Sequence, residues 1–125
     1  MMNRQITDHV VENDSVSHQL EIEVADEPGA GGANHAYIVR WYTRTSVREC
    51  RIDFQNGPVK KAGVNGVTHE ALLAIIIDRL RSFQAGPFAC LENAIVLTHC
   101  EDALIWLQRR TLDRIARGVE GSNKS

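Results

Sequence analysis

Two clusters in the last third of the chain carry the groups that hold nucleotides. The first is the run Ser82-Phe83-Gln84-Ala85-Gly86-Pro87-Phe88-Ala89-Cys90-Leu91-Glu92-Asn93, where an aromatic ring and a carboxamide flank a Gly-Pro pair. The second is Arg109-Arg110-Thr111-Leu112-Asp113-Arg114-Ile115-Ala116-Arg117-Gly118. A ring such as Phe83 offers a platform on which a base stacks, worth about 1–3 kcal/mol. A carboxamide such as Asn93 matches the donor and acceptor on the edge of adenine. A guanidinium grips phosphate through two parallel hydrogen bonds, each charge-assisted bond contributing about 1.5–3 kcal/mol. Arg110 and Arg114 are four apart and share a helical face, Arg117 lies about one turn further along that side, and Arg109 points elsewhere. No nucleophile with an adjacent base accompanies them. The combination points to binding without catalysis.

Each of these residues also has a plainer reading. Phe83 could be a core residue capping a helical corner. Asn93 could be a local cap or simply exposed. The arginines could form a solvated face paired with Glu101, Asp102, Asp113 or Glu120.

The elements that must position them are legible from periodicity. Thr68 is a good N-cap, with Glu70 in the first turn where the helix dipole favours an anion. Leu72, Leu73, Ile76, Ile77 and Leu80 recur at three- and four-residue spacing and predict a helix over 70–83, with Asp78, Arg79 and Arg81 on its wetter side. Gly86-Pro87 stops it, glycine as a left-handed cap and proline because it cannot continue the ladder. From 88 or 89 to 117 nothing breaks the chain, which predicts one helix roughly 44 Å long ending at Gly118. A short corner between two helices implies an antiparallel hairpin. The second helix outruns the first and carries apolar residues on more than one face, which predicts an oligomer, most simply a dimer through the hairpin.

Upstream, Leu20-Glu21-Ile22-Glu23-Val24 alternates as a half-buried strand does, and the segments 37–43 and 47–55 are rich in β-formers. Residues 1–19 show no sustained period and read as an arm. Asn56-Gly57 and Asn65-Gly66 are hairpin signals. One reading makes 59–62 a short strand between two turns; the other runs an Asn65-Gly66 turn straight into the helix. The fold class expected is therefore α+β, a small N-terminal antiparallel sheet followed by a long C-terminal antiparallel helical hairpin. The expected divisions are an arm at 1–19, sheet at 20–67, hairpin at 68–118 and a tail at 119–125, all in one domain.

Composition narrows the function classes. With 125 residues and a net charge of −2, the chain lacks the basic excess of a general nucleic-acid binder, so DNA is not an expected partner and any anion must be caught by a local cluster. Three cysteines (Cys50, Cys90, Cys100) without CxxC spacing read as reduced thiols rather than a disulfide framework or zinc site. Five histidines show no ligand spacing, and the longest apolar run, 71–77, is too short for a membrane span. No metal, cofactor or membrane is expected, and a cytoplasmic location is the default. The glycines of Pro28-Gly29-Ala30-Gly31-Gly32 lack the GxGxxG spacing of a dinucleotide fold, leaving a flexible loop or a flap over a ligand.

The motifs together resemble a known family. Phe54-Gln55-Asn56-Gly57-Pro58, Gly63-Val64-Asn65-Gly66-Val67, the run 72–80 with Asp78-Arg79, Phe83-Gln84, Gly86-Pro87-Phe88-Ala89-Cys90, Glu92-Asn93 and Arg117-Gly118-Val119-Glu120-Gly121 are similar to the phage Thoeris anti-defence sponges. Those proteins share a hairpin domain with anti-CBASS sponges. The resemblance covers roughly 20–122. It implies a phage-encoded homo-oligomer, acting in the cytoplasm of the infected bacterium, that binds the cyclic ADP-ribose isomer made by Thoeris TIR enzymes and hides it without cleaving it. Members also assemble as hexamers, trimers of dimers, whose separate pockets take cyclic di- or trinucleotides of CBASS signalling.

By motif, the resemblance carries ligand binding onto Phe83, Asn93, Arg110 and Arg114, with Arg117 beside them. Phe83 would stack on adenine and the arginines would hold the pyrophosphate. Gly32, Asn34 and His35, from a sheet loop of the partner subunit, would close the pocket. The chain departs from the family pattern at Leu91 and Leu112, where a basic residue is usual, and this bears on the second specificity more than the first. In one hairpin, Arg110 and Arg114 lie roughly 25 Å or more along the helix from Asn93, so the site is two halves that a second subunit must join. The rival classes are a cyclic nucleotide hydrolase, which lacks a base or metal set here, and a structural phage module that binds no ligand.

Overall fold

The computed structural model describes residues 3–118. It is α+β: an antiparallel four-stranded sheet followed by two long helices. The chain divides into two compact units, one running to Gly57 and including Ala62–Gly66, the other made of Pro58–Lys61 and Val67 onward.

The sheet unit has the strand order β1-β2-β3-β4, with β1 at Gln5–Ile6, β2 at Leu20–Val24, β3 at Ala36–Tyr42 and β4 at Val47–Asp53. The pairing register places Ile6, Ile22 and Val39 in one row across the sheet, and Val24, Tyr37 and Ile52 in another on the same face. Val24 and Ala36 are the buried apolar residues of this unit. The opposite face is a charged ladder. Arg40 bonds Glu23 through Nη1 at 3.0 Å and Glu49 through Nε at 2.6 Å, and Tyr42 donates to Glu21 at 2.7 Å. Opposite charges on adjacent strands reinforce the pairing. The hydrogen bonds from Arg40 and Asn3 hold the Glu23 carboxyl below its ordinary value.

The expected arm is part of this unit. β1 pairs with β2, and a short helix α1, Ser15–His18, follows with Asp14 as its cap. Asn3 Nδ2 donates to Glu23 at 2.8 Å, and the His9 Nε2–H donates to the Leu20 carbonyl at 2.7 Å. A two-residue strand has no period to read, so this pairing left no trace in the pattern. The expected tail, 119–125, and the Val119-Glu120-Gly121 motif lie outside the described residues.

The two Asn-Gly pairs do not form two hairpins. The segment expected as a short strand is a helical turn, α2, Val59–Ala62. Asn65 instead clasps the other pair: its Oδ1 accepts from the Asn56 N–H and its Nδ2 donates to the Asn56 carbonyl, both at 2.8 Å. Gln55 completes the knot, accepting from the Asn65 N–H at 3.0 Å and donating to the Gly63 carbonyl at 2.7 Å. Gly66 is needed here for space, not for a positive φ. A Cβ on it would lie 2.4 Å from the carbonyl carbon of Phe54 and 2.6 Å from the Asp53 carbonyl oxygen, both backbone atoms that cannot step aside. Gly66→Ala is therefore expected to lower stability by about 1–3 kcal/mol, the usual cost of overpacking. Urea titration followed by circular dichroism checks this, and an unchanged midpoint would refute the close-approach reading.

The second unit is the helical hairpin: α3, His69–Gln84, and α4, Leu91–Ala116. Thr68 caps α3 as expected, its Oγ1 accepting from the Ala71 N–H at 3.2 Å. Leu73, Ile77, Leu80 and Gln84 on α3, and Leu97, Cys100, Leu104 and Leu107 on α4, are among the buried or half-buried positions. Their alternating three- and four-residue spacing is that of a helix–helix seam. Ile77, 3% exposed, is the buried apolar residue of this unit among the described residues. Arg81 Nη2 bridges α3 to Glu101 of α4 at 2.7 Å.

Candidate nucleotide-binding half-site

The corner between α3 and α4 positions the first cluster. α3 does not end on a left-handed glycine: its C-cap is Ala85 in a right-handed helical conformation, and Gly86 is not among the residues with positive φ. What holds the corner is the Gln84 side chain. Its Nε2 donates to the Cys90 carbonyl at 3.0 Å and its Oε1 accepts from the Cys90 N–H at 3.1 Å. This two-point clasp across Ala85–Ala89 sets where α4 begins. Cys90 is then the N-cap, its Sγ accepting from the Asn93 N–H at 3.5 Å.

Phe83 and Asn93 thereby line one cavity of about 470 Å³, completed on the α3 side by Ile76, Arg79 and Leu80, and on the other by Phe88 and Val96. The volume suits a small ligand. Its walls are apolar, with a single guanidinium and a single carboxamide. Phe83 is 36% exposed, so its ring is open to a stacking partner. The Arg79 guanidinium carbon lies 5.0 Å from the centre of that ring. Asn93 is half-buried, and its carboxamide makes no hydrogen bond among the described residues, which leaves donor and acceptor open to the cavity. Arg79 and Phe88 were missed as site residues. Arg79 had a signal, since a cation four residues before an aromatic on a helix falls beside its ring. Phe88, exposed at 73%, had none beyond its place after Pro87.

The arginine cluster lies elsewhere on the hairpin. Arg110 and Arg114 stand on the same unbroken helix as Asn93, 17 and 21 residues on, hence about 26 and 32 Å along the axis. Arg110 is exposed and forms no ion pair or hydrogen bond among the described residues; Arg114 is half-buried. Arg117 Nε bonds Asp113 Oδ2 at 3.0 Å, the plainer of the two readings for that residue. Arg109 turns away onto the Trp106 ring, with its guanidinium carbon 5.1 Å from the ring centre. One hairpin therefore brings Phe83 and Asn93 together and leaves the arginines apart.

Gly32, Asn34 and His35 belong to the sheet unit, in a loop tied by hydrogen bonds rather than left free. Asp26 organises it. Its carboxylate accepts from the His35 N–H at 3.0 Å, and its carbonyl accepts from Asn34 Nδ2 at 2.8 Å. Desolvation raises the Asp26 pKa, but the N–H groups of His35 and Ala36 outweigh it and hold the carboxyl below its ordinary value. Arg4 donates to Asn34 Oδ1 at 3.0 Å, and His35 Nε2 donates to the Ala30 carbonyl at 2.9 Å. Gly31 and Gly32 carry φ of 72° and 81° in a 3-10 turn, Ala30–Gly32, where a Cβ on either would meet open space. The functional groups of Asn34 and His35 are thus engaged within the sheet unit, by their own loop and by Arg4, and the glycines present bare backbone.

The family model described as Acb2/Tad1, hairpin domain, matches residues 46–112, more than half of the chain. The chain belongs to this hairpin family. The matched span contains β4, the knotted 55–66 segment, α3 and most of α4, including Phe83, Asn93 and Arg110. Over 73 residues the chain is 49% identical to a protein named Thoeris anti-defense 1 from Bacillus phage SBSphiJ7, a match covering 58% of this chain and 51% of that protein. The alignment thus spans about half the length of that relative. As an Acb2/Tad1 hairpin protein, the chain presents on one helical hairpin an apolar cavity with a ring and an amide, and separately an arginine face. Among the described residues no three His, Cys, Asp or Glu side chains group to hold a metal, and no helix is long and apolar enough to cross a membrane.

Proposed function

We propose that the chain is a phage anti-defence sponge that binds and sequesters a cyclic nucleotide immune signal in the host cytoplasm without cleaving it. The first ligand is the cyclic ADP-ribose isomer of Thoeris; cyclic di- and trinucleotides of CBASS are the second class. The observation that carries the reading is the cavity lined by both Phe83 and Asn93, whose carboxamide is unengaged among the described residues. Phe83 stacks on adenine, Asn93 reads polar groups of the ligand, and Arg110 and Arg114 of a second copy hold the pyrophosphate. Gly32, Asn34 and His35 of a neighbouring subunit close over it, with the bare glycine backbone allowing close approach. The relative's name supports the anti-defence role.

Self-association is part of the same reading and is supported by what the single chain leaves uncovered. Ile75, Phe88, Leu91, Trp106 and Leu112 of the hairpin are each more than 60% exposed. Exposed apolar side chains of this kind support a dimer, or a hexamer built as a trimer of dimers.

The test incubates the protein with the TIR product and a panel of cyclic oligonucleotides, removes free ligand by filtration, and releases what is bound by heat for chromatography. The expected result is intact cyclic ADP-ribose isomer in the released fraction. Products of ring opening would establish a hydrolase instead, and no retained ligand would leave a structural module. Phe83→Ala is expected to weaken binding by about 1–3 kcal/mol through loss of stacking. Titration calorimetry measures this, and an unchanged affinity would remove Phe83 from the site.

A further inference from the structure

The sheet ends on an open strand. β4 is last in the order β1-β2-β3-β4, and Val47 to Arg51 are all exposed. It pairs with β3 one to one from Ala36↔Asp53 to Tyr42↔Val47, so no bulge twists its free edge away. An uninterrupted exposed edge of this length is a template for another strand unless something blocks it.

The hydrogen-bond phase shows which residues face outward. The Phe54 N–H donates to the His35 carbonyl at 2.7 Å, and the Thr43 N–H donates to the Ser46 carbonyl at 2.8 Å. In an antiparallel ladder the inward and outward groups alternate along the strand. Even-numbered residues of β4 therefore bond β3, and Val47, Glu49, Arg51 and Asp53 present their N–H and C=O groups to the open edge.

We propose that this edge is a homotypic interface, in which β4 pairs antiparallel with β4 of a second copy about a two-fold axis through Cys50. The phase allows only registers in which outward residues oppose outward residues. Within one chain Glu49 already bonds Arg40 at 2.6 Å and Arg51 bonds Asp53 at 3.1 Å, so an intersubunit pair extends these contacts. Centred on Glu49 or on Arg51, the pairing puts like charges against each other. Centred on Ile52, it sets Arg51 against the partner's Asp53 but overlaps only the end of the strand, whereas Cys50 is the midpoint of Val47–Asp53 and lets the whole strand pair. Centred on Cys50, it sets Glu49 against the partner's Arg51, and Arg51 against the partner's Glu49, and opposite charges in register stabilise a strand pair. Full overlap and opposite charges in register together favour the chain's own copy at this edge. Two four-stranded sheets become one of eight strands, with an isologous contact as a two-fold axis requires. The interface lies on β4 of the sheet unit, and the proposal does not rest on the ligand reading.

The two Cys50 residues then face each other as a non-hydrogen-bonded pair, with Cα atoms about 4.5 Å apart, inside the range a disulfide spans. This makes the register directly readable. The test uses the full chain with Cys90→Ser and Cys100→Ala, so that Cys50 is the sole thiol, and treats it with diamide, which takes one hydrogen from each facing thiol and is reduced to the hydrazine. Most of the chain is expected to run as a covalent dimer on a non-reducing gel. Added to this background, Glu49→Arg or Arg51→Glu turns both attractive pairs repulsive and is expected to cut the dimer yield about tenfold. Mixing the two variants restores opposite charges at both positions and is expected to restore the yield as a heterodimer, which also shows that both variants fold. Absence of the Cys50 dimer in the parent, equal yields from the charge variants, or a mixture no better than its components would each overturn the proposal.

Discussion

Removing Arg110 and Arg114 together is expected to weaken binding of the cyclic ADP-ribose isomer by about 100-fold or more. Each charge-assisted contact contributes about 1.5–3 kcal/mol, and a factor of ten corresponds to about 1.4 kcal/mol. Two residues on one phosphate group couple, so the double variant falls short of the simple sum of the singles. Arg110 is exposed and free of ion pairs among the described residues, so Arg110→Ala leaves the fold as it is. Arg117→Ala is the informative contrast. Its guanidinium is held on Asp113 at 3.0 Å, and its loss is expected to cost less affinity than either neighbour. Calorimetry with the isomer gives the affinities, and sedimentation checks that the association state is that of the parent. A double variant that binds as tightly as the parent would detach the arginine face from the site and leave the corner cavity to act alone.

The largest expected loss of stability belongs to Ile77. It is the point on which the hairpin closes, 3% exposed between Leu73 and Leu80 on the α3 face that packs on α4. Ile77→Ala removes three buried carbons and leaves a cavity, at a cost of about 2–5 kcal/mol, whereas Ile77→Val removes one and costs about 0.5–1.5 kcal/mol. Urea unfolding reads both as a fall in midpoint at constant slope. An alanine variant as stable as the parent would mean that the hairpin is held by contacts other than its own seam. The same substitution bears on binding, because the seam and the Gln84–Cys90 clasp together set the spacing of Phe83 and Asn93.

The helices and the three longer strands were legible because they obey local periods. Thr68 announced its cap, the 70–83 spacing announced α3, and the unbroken run to 117 announced α4. The connection at 55–66 was not legible. Asn65 and Gln55 act there through bonds spanning eight to ten residues, which no local pattern encodes. Gly66 was read as a turn residue because glycine is identical in sequence whether it supplies a positive φ or makes room for a neighbour's backbone. Gly86 misled in the same way: the corner is fastened by a glutamine side chain, a device that looks like any polar residue until its partner is seen. β1 was too short to show a period at all.

Phe83, Asn93, Arg110 and Arg114 could be picked out by residue type, because stacking, amide pairing and phosphate binding each demand a particular functional group. The unbroken α4 also implied that the arginines stand far from Asn93 within one chain. Whether Phe83 and Asn93 share a cavity was decided only by the tertiary structure, whereas Arg79 over the ring and Arg117 on Asp113 are contacts four residues apart that helix geometry alone allows. Composition and periodicity follow from each residue's own chemistry and its near neighbours. A cavity depends on the angle at which two helices leave a corner, and that angle is set by contacts between side chains distant in sequence.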